Sequence, residues 1–69
     1  MSSFSDRLKE LRGSRELSQQ DLARGIGVSQ RAVSYYELGK NLPTLDVLIR
    51  IADFFDVTLD YLVGRRDKQ

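Results

Sequence analysis

Apolar positions recur at helical spacing almost from the start of this 69-residue chain. Phe4, Leu8 and Leu11 fall at i, i+4 and i+7, one stripe of a helix that runs to Arg12 or Ser14. Ser3 stands before it as a cap, and Asp6 is placed to reach back and complete a capping box. Gly13 and Ser14 weaken the last turn. Leu17 precedes a second start signal, Ser18-Gln19-Gln20-Asp21, and the helix behind it turns Leu22, Ala23 and Ile26 inward. Gly25 and Gly27 both discourage helix, and Gly27 suits the left-handed backbone that ends one. Ser29 caps a third helix, which runs to Leu38 with Gly39 as its stop.

Lys40-Asn41-Leu42-Pro43 reads as a loop, after which Thr44 caps a fourth helix. That helix carries Leu45, Leu48, Ile49, Ile51, Ala52 and Phe55, with Val47 and Phe54 besides, and so broad an apolar surface predicts a place at the centre of the core. Asp56-Val57-Thr58 is a short break. Leu59 and Leu62, with Tyr61 and Val63, dock a last short helix that Gly64 ends. The pattern predicts an all-α, compact five-helix domain over residues 1–64, followed by a tail, 65–69, that frays.

Composition narrows the source of stability. A chain of this length lies near the lower limit for a core without a staple, and it has no Cys and no His. Disulfides, zinc fingers and haem ligation are excluded, which leaves packed helices. No apolar run approaches the ~20 residues needed to span a membrane, and the start MSSFSDRLKEL has no signal-peptide core. A cytoplasmic protein is expected. Catalysis is argued against by the missing His and Cys, and by the lack of a phosphate-cradling glycine motif or metal-ligand spacing. No cofactor, metal or small-molecule ligand is expected.

Charge changes the picture little. The formal net charge is +1 with a pI near 8.1, weaker than the basic balance of most nucleic-acid-binding domains. Up to Asn41 there are seven Lys/Arg against five acids; from Leu42 on there are four against five.

The second and third helices carry the chemistry. At 100° per residue, with Val33 inward, Tyr36 and Glu37 lie on the inner side of the third helix. Arg31 and Tyr35 lie nearly opposite, one turn apart, with Ser34 and Leu38 flanking and Gln30 in the first turn. A small Ala23 at the helix crossing, a tight turn at Gly27 and hydrogen-bonding side chains on the outer face make a helix-turn-helix layout.

With these residues placed, the chain from Phe4 to Gly64 resembles the phage-repressor and Cro-like helix-turn-helix family, often called the Xre family. The anchors are Ser18-Gln19-x-x-Leu22-Ala23, Gly27-Val28-Ser29, Val33-Ser34-x-x-Glu37-x-Gly39, Pro43 and Asp60-Tyr61-Leu62. The resemblance implies a lambda-repressor-like DNA-binding domain with its helix-turn-helix at helices 2 and 3. It implies base contacts from Gln30, Arg31 and Tyr35. Gln30 fits adenine by a bidentate amide pair, Arg31 fits the O6/N7 edge of guanine, and Tyr35 meets either a thymine methyl or a phosphate. Phosphate contacts are implied for Gln19, Ser29, Ser34, Lys40 and Asn41. Arg12 and Glu37 match a family ion pair that ties helix 1 to the end of helix 3. One departure is the loop after helix 3, whose single Lys replaces the basic cluster of some phage repressors.

The function expected from this resemblance is a sequence-specific transcriptional regulator, most simply a repressor, that binds a palindromic double-stranded operator as a homodimer. Leu42, Tyr61 and Val63 are the candidates for the dimer seam. The competing reading is a protein-binding adaptor or antitoxin-like module that uses the same fold on another protein.

Overall fold

The computed structural model describes residues 3–67. Five helices follow in order: α1 (Phe4–Ser14), α2 (Gln19–Ile26), α3 (Gln30–Leu38), α4 (Leu45–Phe55) and α5 (Leu59–Leu62). Every one begins at a hydroxyl cap. Ser3, Ser18, Ser29, Thr44 and Thr58 each accept a hydrogen bond from the backbone N–H three residues on, satisfying a donor that the first turn leaves unpaired. The capping box is complete at α2, where the Ser18 N–H also donates to the Asp21 carboxylate at 3.2 Å. At α1 the expected box is only half made. The Asp6 N–H reaches Ser3 Oγ, but its carboxylate turns toward Lys9 Nζ at 3.9 Å, a pair both partners hold in solvent.

Each helix contributes one side chain that is fully shut away from water: Leu8, Leu22, Val33, Ile51 and Leu62. Around this centre pack Phe4, Ala23, Ile26, Tyr36, Ala52 and Phe55, with Phe4 meeting Tyr36 edge to face at 6.3 Å. α3 lies against both α1 and α2, while α4 joins from the far side through α2 and α5. The fourth helix is thus less central than its composition suggests. Ile51, Ala52 and Phe55 are buried, but Leu45 and Ile49 remain exposed on a face that no element covers.

Two glycines mark the ends of α2 and α3. Gly27 (φ 75°) and Gly39 (φ 74°) are both left-handed, so the chain reverses directly after each helix. The Gly27 N–H still donates to Ala23 O at 2.9 Å, closing the last turn of α2 before the chain enters α3. Gly25 acts differently. It stands within α2, where an added Cβ would sit 2.4 Å from the Phe54 ring, so its lack of a side chain lets α4 approach α2 closely.

Past Gly64, where fraying was expected, the Arg65 and Arg66 N–H groups donate to Asp60 O at 2.9 and 3.2 Å. The Arg66 carbonyl accepts from Arg7 Nη2 at 3.2 Å, and that guanidinium lies 4.0 Å above the Tyr61 ring. The rest of the predicted tail, Lys68 and Gln69, lies outside the described residues, as do residues 1 and 2 of the predicted domain.

Two outcomes follow from these caps. Gly27→Ala adds a methyl whose nearest neighbour is Arg50 Nη1, at an ordinary 3.5 Å, so its penalty is that of the left-handed backbone, about 1–2 kcal/mol. A thermal melt should fall by roughly 4–15 °C. The Asp21 carboxyl is held below its usual value, chiefly by the Ser18 backbone N–H, then by the Ser18 hydroxyl and Arg24. A depressed folded value means that this stabilisation is present above the unfolded carboxyl's titration and is lost as pH falls through the folded one. Asp21→Asn should therefore melt with a shallower loss of stability in the acid range, below about pH 4, than the parent chain.

Candidate nucleic-acid interface

The outer face of α3 is built by the packing of its inner face. Val33, Tyr36 and Glu37 are buried, and that choice leaves Gln30 and Arg31 exposed, with Ser34 and Tyr35 half-buried beside them. Ser29 Oγ accepts the Ala32 N–H at 3.1 Å, so its own hydroxyl proton remains free for an outside acceptor. Lys40 and Asn41 follow the Gly39 turn and are exposed. An α-helix with its side chains is about 10–12 Å across, which the ~12 Å width of a DNA major groove admits.

One carboxylate sets the attitude of this helix. Glu37 lies on the inner side of α3 with its side chain 5% exposed, against 23% for Arg12. Arg12 Nε donates to Glu37 Oε2 at 2.6 Å and Arg12 Nη2 donates to Oε1 at 3.0 Å, a two-pronged bond from the end of α1. Gln19, the first residue of α2, donates its side-chain Nε2 to Oε1 at 3.1 Å. A carboxylate can only accept, so the amide nitrogen must face it, and one N–H of that nitrogen is left over. Arg12 also donates Nη1 to Leu17 O at 2.8 Å, fixing the turn before α2. The bonds to Glu37 raise the Arg12 guanidinium above its ordinary value, against the opposing pull of burial. Helices α1, α2 and α3 thus meet at a single group.

A second, exposed cluster stands on the opposite side of α3. Arg31 Nε donates to Tyr35 Oη at 3.2 Å, with the guanidinium carbon 5.5 Å from the ring centroid. Lys40 Nζ lies 5.7 Å from the same ring. Gln30, Ser34 and Asn41 make no side-chain hydrogen bond among the described residues.

Three arginines that carry structure were read in the sequence only as charge. Arg7 falls at i+3 from Phe4, on the buried stripe itself, and is as buried as its apolar neighbours. Arg15 clamps the end of α4, donating to Phe54 O at 3.1 Å and Phe55 O at 3.0 Å. Arg50 Nη1 donates to Ile26 O at 3.3 Å and closes the end of α2. The helical phase of Arg7 was a usable signal; the other two reach across the fold and left none. Among the candidates for a dimer seam, Leu42 is 81% exposed, whereas Tyr61 lies partly buried under Arg7 and Val63 is partly buried.

The asymmetry of the buried pair predicts an asymmetric response. Arg12→Ala strands the more buried partner, a carboxylate left with only Gln19, and should cost about 3–5 kcal/mol, a melting-point loss above roughly 12 °C. Glu37→Ala should cost less, because the more exposed Arg12 can turn to water. Circular-dichroism melts of both variants check the order.

The comparisons with known proteins agree with this geometry. Residues 8–62 match the family model described as helix-turn-helix. An uncharacterized HTH-type transcriptional regulator of Bacillus subtilis, YqaE, is 42% identical over 60 residues, covering 87% of this chain and 52% of that protein. The cryptic phage CTXphi transcriptional repressor RstR of Vibrio cholerae is 37% identical over 61 residues, covering 88% of this chain and 55% of the repressor. The chain therefore spans about half the length of these curated relatives. Among solved structures, the P22 c2 repressor protein, in complex with synthetic operator 9T, superimposes with a TM-score of 0.89 at 23% identity, over 96% of this chain and the whole of that one. At that identity the likeness speaks for the five-helix fold. With most of its length matched by the family model and its relatives named as transcriptional regulators, this chain belongs to the Cro/C1-type helix-turn-helix family.

Proposed function

We propose that this chain is the DNA-binding part of a cytoplasmic transcriptional regulator, a repressor that holds a palindromic operator as a homodimer. The observation that carries the reading is the two-sidedness of α3. Its inner face is locked to α1 and α2 through Glu37, while Gln30 and Arg31 stand exposed on the face turned away. In this reading α3 enters the major groove. Gln30 pairs with adenine and Arg31 with guanine, the edges their donors and acceptors match. Gln19, Ser29, Ser34, Lys40 and Asn41 hold phosphates, each with a donor to offer. Tyr35 belongs to the same face. A homodimer would give cover to the exposed apolar side chains of Leu42, Leu45 (65% exposed) and Ile49.

The cations left for phosphates are few. Arg7, Arg12, Arg15 and Arg50 all donate to carbonyls within the domain, and Arg24 pairs with Asp21 at 3.2 Å. Near α3, Arg31 and Lys40 have no acidic partner among the described residues. Each phosphate neutralised contributes about −0.9 to the slope of log K against log salt. A dimer of this chain, with two such cations per protomer, should show a slope no steeper than about −4. Mobility shifts on sites selected from random DNA test the reading. Expected are inverted half-sites about 34 Å apart, a salt-dependent shift and a loss of preference in Arg31→Ala. A chain that retains its cellular function with both Gln30→Ala and Arg31→Ala, and shifts no DNA at micromolar protein, is an adaptor instead.

A further inference from the structure

Tyr35 has no settled partner in the groove, yet it has one on its own helix. Arg31 and Tyr35 lie four residues apart on the exposed face of α3, and the Arg31 Nε–H is donated to Tyr35 Oη at 3.2 Å. We propose that Tyr35 is a positioning residue that aims Arg31, fixing which edge of the guanidinium meets the DNA. The proposal rests on Arg31 as the guanine-reading residue.

A guanidinium carries five N–H donors in one plane. Guanine presents two acceptors, O6 and N7, and two edges of the guanidinium match them: the side edge, Nε with one Nη, and the end edge, Nη1 with Nη2. The bond to Tyr35 occupies Nε and removes the side edge. Only the end edge is left to read the base, directed away from the helix. The ring adds a second constraint, because the guanidinium carbon and Lys40 Nζ lie 5.5 and 5.7 Å from its centroid. The negative charge of the ring faces attracts each cation. Tyr35 therefore stands within reach of both the base-reading cation and a phosphate-seeking cation. Its own hydroxyl proton stays free for a water or a phosphate oxygen.

The test compares four proteins by selection from a randomised duplex pool: the parent chain, Arg31→Ala, Tyr35→Phe and the double variant. Tyr35→Phe keeps the ring and its packing and removes only Oη, and a melt confirms that it folds. Tyr35→Phe should weaken the preference for guanine at the same base pair that Arg31→Ala relaxes, by roughly two- to ten-fold, the worth of one hydrogen bond. In the Arg31→Ala background it should change nothing further at that position. If Tyr35→Phe leaves the guanine preference intact, or relaxes a different base pair, the positioning role falls and Arg31 as reader stands. If Arg31→Ala relaxes no position, or the parent enriches no sequence, the guanine-reading assignment falls and the positioning role with it.

Discussion

The Glu37 carboxylate is the point on which the reading surface depends. It has about four acceptor directions, and Arg12 and Gln19 between them fill three with bonds of 2.6, 3.0 and 3.1 Å. An apolar contact among α1, α2 and α3 would hold the helices together but allow them to slide by fractions of an ångström. A two-pronged arginine bond does not, because both oxygens and both nitrogens must stay in one plane. A buried ion pair is often close to neutral in net stability, so its value here lies in angle more than in free energy. Tyr35 sits about 200° around the helix from Glu37, so a rotation of α3 that moved one would swing the other out of place.

The arginines divide between two tasks. Arg15 and Arg50 each reach the end carbonyls of another helix, while Arg12 and Arg7 bond the carbonyls of Leu17 before α2 and Arg66 past α5. Helix ends expose carbonyls that have no intrahelical partner, and a long planar donor can satisfy them from a distance. In a domain whose fully buried centre is only five aliphatic side chains, such clamps fix how short helices abut. They also tie down cations that would otherwise face a partner, so fewer of the 11 Lys and Arg are free at the surface than the sequence count suggests.

Local features of this fold were legible in the sequence and distant ones were not. All five caps could be read, because a hydroxyl and the N–H three residues later belong to one short segment. So could the turns at Gly27 and Gly39, and the inward phase of Glu37. Asp6 misled because its carboxylate had two nearby cations or donors to choose from, and Lys9 lay within reach. The apolar face of α4 misled because hydrophobicity tells what can be buried, not what is. Leu45 and Ile49 have the same chemistry as Ile51 and differ only in having nothing above them. Gly25 read as a helix breaker, when its reason is the Phe54 ring of another helix. The exposed side chains of α3 were placed on the right face by phase alone, but the bond between Arg31 and Tyr35 depends on rotamers that no sequence pattern encodes.

The spent arginines bear on how a surface like this can select a sequence. Non-specific affinity for DNA comes almost wholly from phosphate neutralisation, and specificity is the margin by which base contacts exceed it. A domain with few free cations has a low non-specific floor, so each base contact counts for a larger share of the total. The cost is absolute affinity: one copy offers too small a footprint to hold a site alone. Doubling the surface through a second copy restores affinity by effective concentration without raising the floor for any single half-site. On this argument the exposed apolar surface at Leu42, Leu45 and Ile49 and the scarcity of lysines after α3 are two sides of one arrangement. Under the proposed homodimer, affinity is drawn from pairing, and discrimination from a few aimed side chains.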